Sequence, residues 1–294
     1  NILELKGDLK ARFGASNIMD LRVLEGRLFP QRLYAFLPEK MREGLHSMHI
    51  SGPVTFRGPI NGRKELQTWD WQGDLEARLR QNRFSYRIGQ ITFDSLITGS
   101  IQAIGELPDM EISIALQGDK TLVAGKAEAT KPWQASLSLT GNNWIFQIKK
   151  LALYLPQVNI NQGNRDVTIE NIRIHGEKGR LDGERRSLFL PQIRFSTSLL
   201  TNTQIYLGVD RKGATLKADG KEAKLLQMVQ SLNLIPSDWQ LEGSDSFQIE
   251  AVQKEKKVWS LKSKVSFQDL GFENKEGTAM GEKISLKAEI DGEI

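Results

Sequence analysis

Hydrophobic and polar residues alternate in steps of two along most of the chain. In "WSLKSKVSF", Trp259, Leu261, Ser263, Val265 and Phe267 share one side, and Ser260, Lys262, Lys264 and Ser266 the other. Leu75, Ala77 and Leu79 repeat the pattern among Asp74, Glu76, Arg78 and Arg80, as do Ile112, Ile114 and Leu116, and then Trp133, Ala135, Leu137 and Leu139. Further instances are Ile205, Leu207 and Val209, Phe247, Ile249 and Ala251, and Ile284, Leu286, Ala288 and Ile290. A period of two predicts strands with one wet and one dry face. Turn signals separate them, among them "GNN" at 141–143, "NQGN" at 161–164, "EKG" at 177–179 and "DRKG" at 210–213. Short turns imply antiparallel meanders, because parallel pairing needs long crossovers. The expected fold class is therefore all-β and mainly antiparallel.

Two segments have helical spacing instead. Residues 32–45, "RLYAFLPEKMREGL", place Leu33, Phe36 or Leu37, Met41 and Leu45 on one face, with Pro38 limiting or kinking the helix. Residues 222–234, "EAKLLQMVQSLNL", do the same with Leu225, Met228, Val229 and Leu232. Similar passages follow both: Gly52 matches Gly243 and Phe56 matches Phe247, while Trp71 matches Trp259. Residues 33–100 and 222–294 are thus candidate internal repeats joined by a strand-rich middle, 101–221. The chain begins and stops in mid-pattern, and we expect a fragment of a longer protein.

Composition narrows this picture. At 294 residues, with 39% hydrophobic and 26% charged residues, the chain has the make-up of a folded protein. Its 40 Lys and Arg against 36 Asp and Glu leave an excess too small to identify a nucleic-acid binder. The absence of cysteine excludes a disulfide scaffold and thiol catalysis. Pro132–Ile148 is uncharged but too polar to span a bilayer.

The stretches "LPEKMREGLHSMHISGPVTFRG" with "WDWQGDLEARL", and "LLQMVQSLNLIPSDWQLEGSDSF" with "WSLKSKVSFQDLGFENKEGTAMGEKISLKAEIDGEI", resemble the AsmA-like / TamB superfamily of Gram-negative envelope proteins. The resemblance covers about residues 33–100 and 215–294, and the middle by strand texture. It implies an elongated, strongly twisted sheet curled into an open groove with an apolar inside. It also implies a role in conducting phospholipids between inner and outer membranes, with no cofactor. The implied location is the periplasm, with a tether to the inner membrane in a segment not present here. The expected partner is a phospholipid or other acyl-chain lipid, with both membranes reached through regions outside this chain.

Physical chemistry is consistent with that use of a groove. Each methylene withdrawn from water contributes about 0.8 kcal/mol, so an exposed acyl chain costs on the order of 10 kcal/mol. Along a uniform apolar trough a lipid slides without a steep barrier. Alternation nominates the lining: Ile112, Ile114, Leu116, Leu137, Leu139, Ile205, Leu207, Trp259, Leu261, Val265 and Phe267. Trp71 and Trp259 are open to two readings, contact with lipid headgroups or structural packing at a strand start.

Two other architectures share the alternation. A structural or adhesive scaffold would use the dry face as a closed core. An outer-membrane barrel would turn it outward, which the helices and the lack of aromatic girdles oppose. His46 and His49 have no clustered third ligand, so no metal site is expected. Basic residues in "EKGRLDGERR" and "QKEKK" read as solvated faces and guarded edges. No nucleophile elbow, phosphate loop or singled-out carboxylate pair is present, so enzymatic function is not expected. Nucleic acid is disfavoured, since basic positions lack interleaved exposed aromatics.

Overall fold

Antiparallel hairpins account for nearly all of the computed structural model, which describes residues 3–12, 17–33, 48–65, 68–88, 91–106, 109–123, 127–142, 145–161, 166–198, 200–221, 224–231, 235–236, 238–255 and 258–293. The chain is all-β, with only two short helices among the described residues. It divides into two units, one of residues 1–149 and 155–166, the other of 150–154 and 167–294. The division falls inside the middle segment 101–221, so each candidate repeat lies within a single unit.

The first unit contains β1 (Leu3–Arg12), β2 (Asn17–Leu28), α1 (Pro30–Leu33), β3 (Met48–Ser51), β4 (Val54–Glu65), β5 (Thr68–Ile88), β6 (Ile91–Glu106), β7 (Asp109–Val123), β8 (Ala127–Ala129) and β9 (Trp133–Asn142), with most of β10 (Ile145–Asn161). Its ladders run β1–β2–β4–β5–β6–β7–β9, all antiparallel. β3 pairs with the far end of β5, and β8 with the ends of β7 and β10.

The second unit contains β11 (Asp166–Glu177), β12 (Gly179–Asp182), β13 (Ser187–Ser196), β14 (Thr203–Val209), β15 (Ala214–Lys221), α2 (Leu225–Ser231), β16 (Gln240–Glu255), β17 (Val258–Glu273) and β18 (Met280–Glu293). β11 and β12 pair with β13, and the meander β13–β14–β15–β16–β17–β18 follows in chain order.

The turns obey local chemistry. At 210–213 the Asp210 carboxylate accepts hydrogen bonds from the backbone of Lys212 and Gly213 at 2.7 and 3.1 Å, closing the β14–β15 hairpin. Between β17 and β18, Asn274 Oδ1 accepts from Ala279 N–H, and Gly277 supplies a positive φ of 66°. Bulges interrupt several ladders, for example at Leu79/Asn82 on β5, where Gln81 has φ 52°, and at Val23/Gly26 on β2. Bulges bend a strand and increase its twist, which is how a sheet coils.

Of the expected helix at 32–45, residues 34–45 lie outside the described residues, and α1 covers only Pro30–Leu33. The expected helix at 222–234 is present in its centre as α2; residues 222, 223 and 232–234 lie outside the description.

Candidate functional site: an apolar sheet face in each unit

Directly opposed residues on antiparallel strands share a face, so the register converts alternation into rows that cross the sheet. In the first unit one row reads Leu5, Gly26, Phe56, Ala77, Ile101, Ile114 and Leu137 across seven strands. The next contains Leu75, Ala103, Ile112 and Leu139. Behind them the opposite face carries Arg57, Glu76, Gln102, Ser113 and Ser138. At about 4.8 Å per strand, six steps extend the apolar row over about 29 Å. One bilayer leaflet's hydrocarbon is about 15 Å deep, so the row is longer than the depth that acyl chains occupy in a leaflet.

In the second unit, Ile193, Ile205, Ala218, Ile249, Ser263 and Ile290 form one row. Leu207, Leu216, Ala251 and Leu261 form another. The reverse face is charged: Tyr206, Lys217, Glu250, Lys262 and Asp291 are successive partners, as are Gln204, Asp219, Gln248, Lys264 and Glu289.

Register therefore places the eleven lining candidates on apolar faces, in two groups. Ile112, Ile114, Leu116, Leu137 and Leu139 belong to the first unit, and Ile205, Leu207, Trp259, Leu261, Val265 and Phe267 to the second. Leu139 is buried; the other ten are half-buried. The row becomes more open at the outer strands, where Leu9 is 61% and Ile290 62% exposed. Trp71 and Trp259 are half-buried as well.

The wet face carries ion pairs within and across strands. Glu76 receives Arg78 Nε at 2.7 Å and Arg57 Nη2 at 2.8 Å, and those contacts, Arg78 first, hold its carboxyl below the ordinary range. Arg83 does the same to Asp94, and Lys217, at 2.8 Å, to Glu250. An open hollow lined by Lys217, Gln248, Glu250, Lys262, Lys264 and Glu289 lies on this charged side. Its cations face carboxylates across the ladders, and Ala218, Ile249 and Ile290 line it between them.

Three features of the dry face are not legible from alternation. First, aromatic rings lie flat on glycines of the adjacent strand: Phe56 on Gly26, Trp71 on Gly62, Trp133 on Gly118 and Phe272 on Gly281, each a directly opposed pair. A Cβ built on Gly26 would sit 2.4 Å from the Phe56 ring, and on Gly118 2.1 Å from the Trp133 indole. The rings thus cover the backbone instead of standing up from the sheet.

Second, a polar knot closes one end of the first unit's rows. Asn82, 1% exposed, donates to the carbonyls of Ser51 and Pro53 and accepts from Arg80 N–H. The Trp133 indole N–H donates to Thr121 Oγ1 at 2.6 Å, and Thr121 donates to Ser95 Oγ at 2.9 Å. Third, α2 lies on the second unit's dry face. Its Leu225 packs on Phe247, with Leu200, Ala218, Ile249, Val265 and Phe267 around them. Two lining candidates, Val265 and Phe267, therefore already touch protein.

Among the described residues no group of three potential metal ligands assembles. His46 lies outside them, and His175 pairs with Glu177 at 2.8 Å. No helix among the described residues is long and apolar enough to cross a membrane. Comparison with family models, with curated proteins and with solved structures returned no match to this chain.

Proposed function

We propose that the chain is a lipid-binding module of a Gram-negative envelope protein, whose apolar sheet faces carry the acyl chains of phospholipids passing between inner and outer membranes. The observation that carries this reading is the unbroken apolar row across seven strands of the first unit, left half-exposed and backed by a charged face. A side-chain-filled core buries such residues almost completely. Rows of interchangeable Leu, Ile, Phe and Ala offer contact without a fixed stopping point, which suits sliding cargo better than selective capture. The charged reverse face keeps the sheet in water while the other side holds hydrocarbon. No step of covalent chemistry is required, and the reading includes no enzymatic activity, no cofactor and no nucleic acid. A periplasmic site of action follows from the same resemblance that suggests the cargo.

Native mass spectrometry of the protein purified without detergent tests this: phospholipid should accompany it. Ile114→Glu, on the open row, should strip that lipid while leaving the far-ultraviolet circular dichroism unchanged. A scaffold with a closed dry face is the second reading, and the packing of α2 over Phe247 favours it locally. There a glutamate at position 114 would be an unpaired buried charge and would unfold the unit. Lipid-free protein that unfolds on this substitution rejects transport in favour of the scaffold.

A further inference from the structure

We propose that the surface beneath α2 is an acyl-chain site in its own right, and that α2 is its resident occupant, exchanged when hydrocarbon arrives. The inference rests on the lipid-binding reading above and places a specific site within it.

The patch comprises Phe247, Ile249, Val265 and Phe267, with Ala218 and Leu200 at its border. Phe247 and Val265 are direct partners on β16 and β17, one rung along from Ile249 and two from Ala251 and Leu261. The apolar rows of the second unit therefore lead straight to α2. Ala218 and Ile249, in the row next to Leu207, Ala251 and Leu261, already pack against the Leu225–Phe247 pair. Leu225, 8% exposed, already does to this surface what hydrocarbon would do.

Three observations mark α2 as a replaceable occupant. Its described part is Leu225–Ser231, and the whole amphipathic segment 222–234 falls within the length, about 12–15 residues, at which isolated helices are marginal, so its helicity depends on docking. Its entry residue, Lys224, has φ 60°; a lysine holds that left-handed backbone only under constraint, and undocking releases it. Its first turn is tied to the sheet by Asp245 Oδ2, which accepts from Leu225 N–H at 2.7 Å and is itself on the dry face opposite Phe267. Gln230 ties the other end to the returning chain, donating to the carbonyls of Pro236 and Trp239 at 3.1 and 2.8 Å. A short element held at two polar points over an apolar patch can leave and return without disturbing the strands below.

Amide hydrogen exchange on the unmodified protein, with palmitate as the probe and native mass spectrometry to count bound molecules, tests the exchange directly. Binding should accelerate exchange at residues 225–231 about tenfold while β16 and β17 stay protected. Bound palmitate with exchange at 225–231 unchanged or slowed overturns this inference and leaves the general lipid reading standing. Failure of palmitate to bind anywhere overturns both. Asp245→Ala, which removes the carboxylate from Leu225, should raise palmitate affinity about fivefold, since a cover that is open more often obstructs less. Released α2 with unchanged or weaker palmitate binding also overturns it. Should that variant not fold, the exchange experiment on the unmodified protein still decides.

Discussion

The residues that shape the dry face most are small or polar, not the large apolar ones that reveal a strand. Gly118 is buried because the Trp133 indole rests on it, and the same indole donates to Thr121. Adding a methyl group at 118 pushes the ring off its strand and breaks that bond. Gly118→Ala should lower stability by about 2–3 kcal/mol in urea titration, and an unchanged midpoint would mean the ring has room elsewhere. Asn82 is a second such position. Its truncation to alanine leaves the carbonyls of Ser51 and Pro53 and the N–H of Arg80 without their partner. A loss of about 2 kcal/mol is expected, read in the same titration. Neither role is legible in the sequence. Glycine and asparagine in a strand pattern suggest a turn or bulge, and only register puts Trp133 opposite Gly118. By contrast Leu137 and Leu139 are legible, because a two-residue period by itself puts them on the same face.

Elements follow from the sequence where the period is uninterrupted and escape it where a bulge inserts a residue. Trp259 to Phe267 keep their alternation through β17 and share the expected face. Beyond Phe267 the register shifts twice, at Asp269 and before Phe272, so parity read from the sequence no longer names the face. α2 was legible as amphipathic, but its position over Phe247 depends on a carboxylate twenty residues later in β16. The wet faces yield a prediction at this scale. Glu76, Asp94, Glu250 and Glu289 are held below their ordinary ranges by basic neighbours, chiefly Arg78, Arg83, Lys217 and Lys287 respectively. A depressed carboxylate contributes stability above its unfolded value, and that contribution fades as pH falls through the folded one. The urea midpoint should therefore be level from pH 7 to about 5 and decline below about pH 4, near the ordinary carboxylate values. Raising salt should flatten the decline, since these pairs are solvent-exposed. A midpoint that rises on acidification would mean that repulsion among carboxylates outweighs the pairs.

At the scale of the whole molecule, the dry rows leave apolar surface in water: Leu3, Leu5 and Leu9 on β1 and Leu286 and Ile290 on β18 are all between 46% and 62% exposed. Surface of this kind leaves a thermodynamic signature when covered. Each 100 Å² of apolar area withdrawn from water lowers heat capacity by about 45 cal/mol/K, and a negative heat-capacity change is the most dependable mark of apolar burial on binding. Calorimetric titration of palmitate at several temperatures should thus give a binding enthalpy that becomes more negative on warming. Ile114→Glu should remove the first unit's share of that slope and leave the second unit's intact, because the two groups of lining residues lie on separate ladders. A slope near zero in the unmodified protein would mean that bound palmitate touches the charged faces, and the dry rows would then need another explanation for being left open.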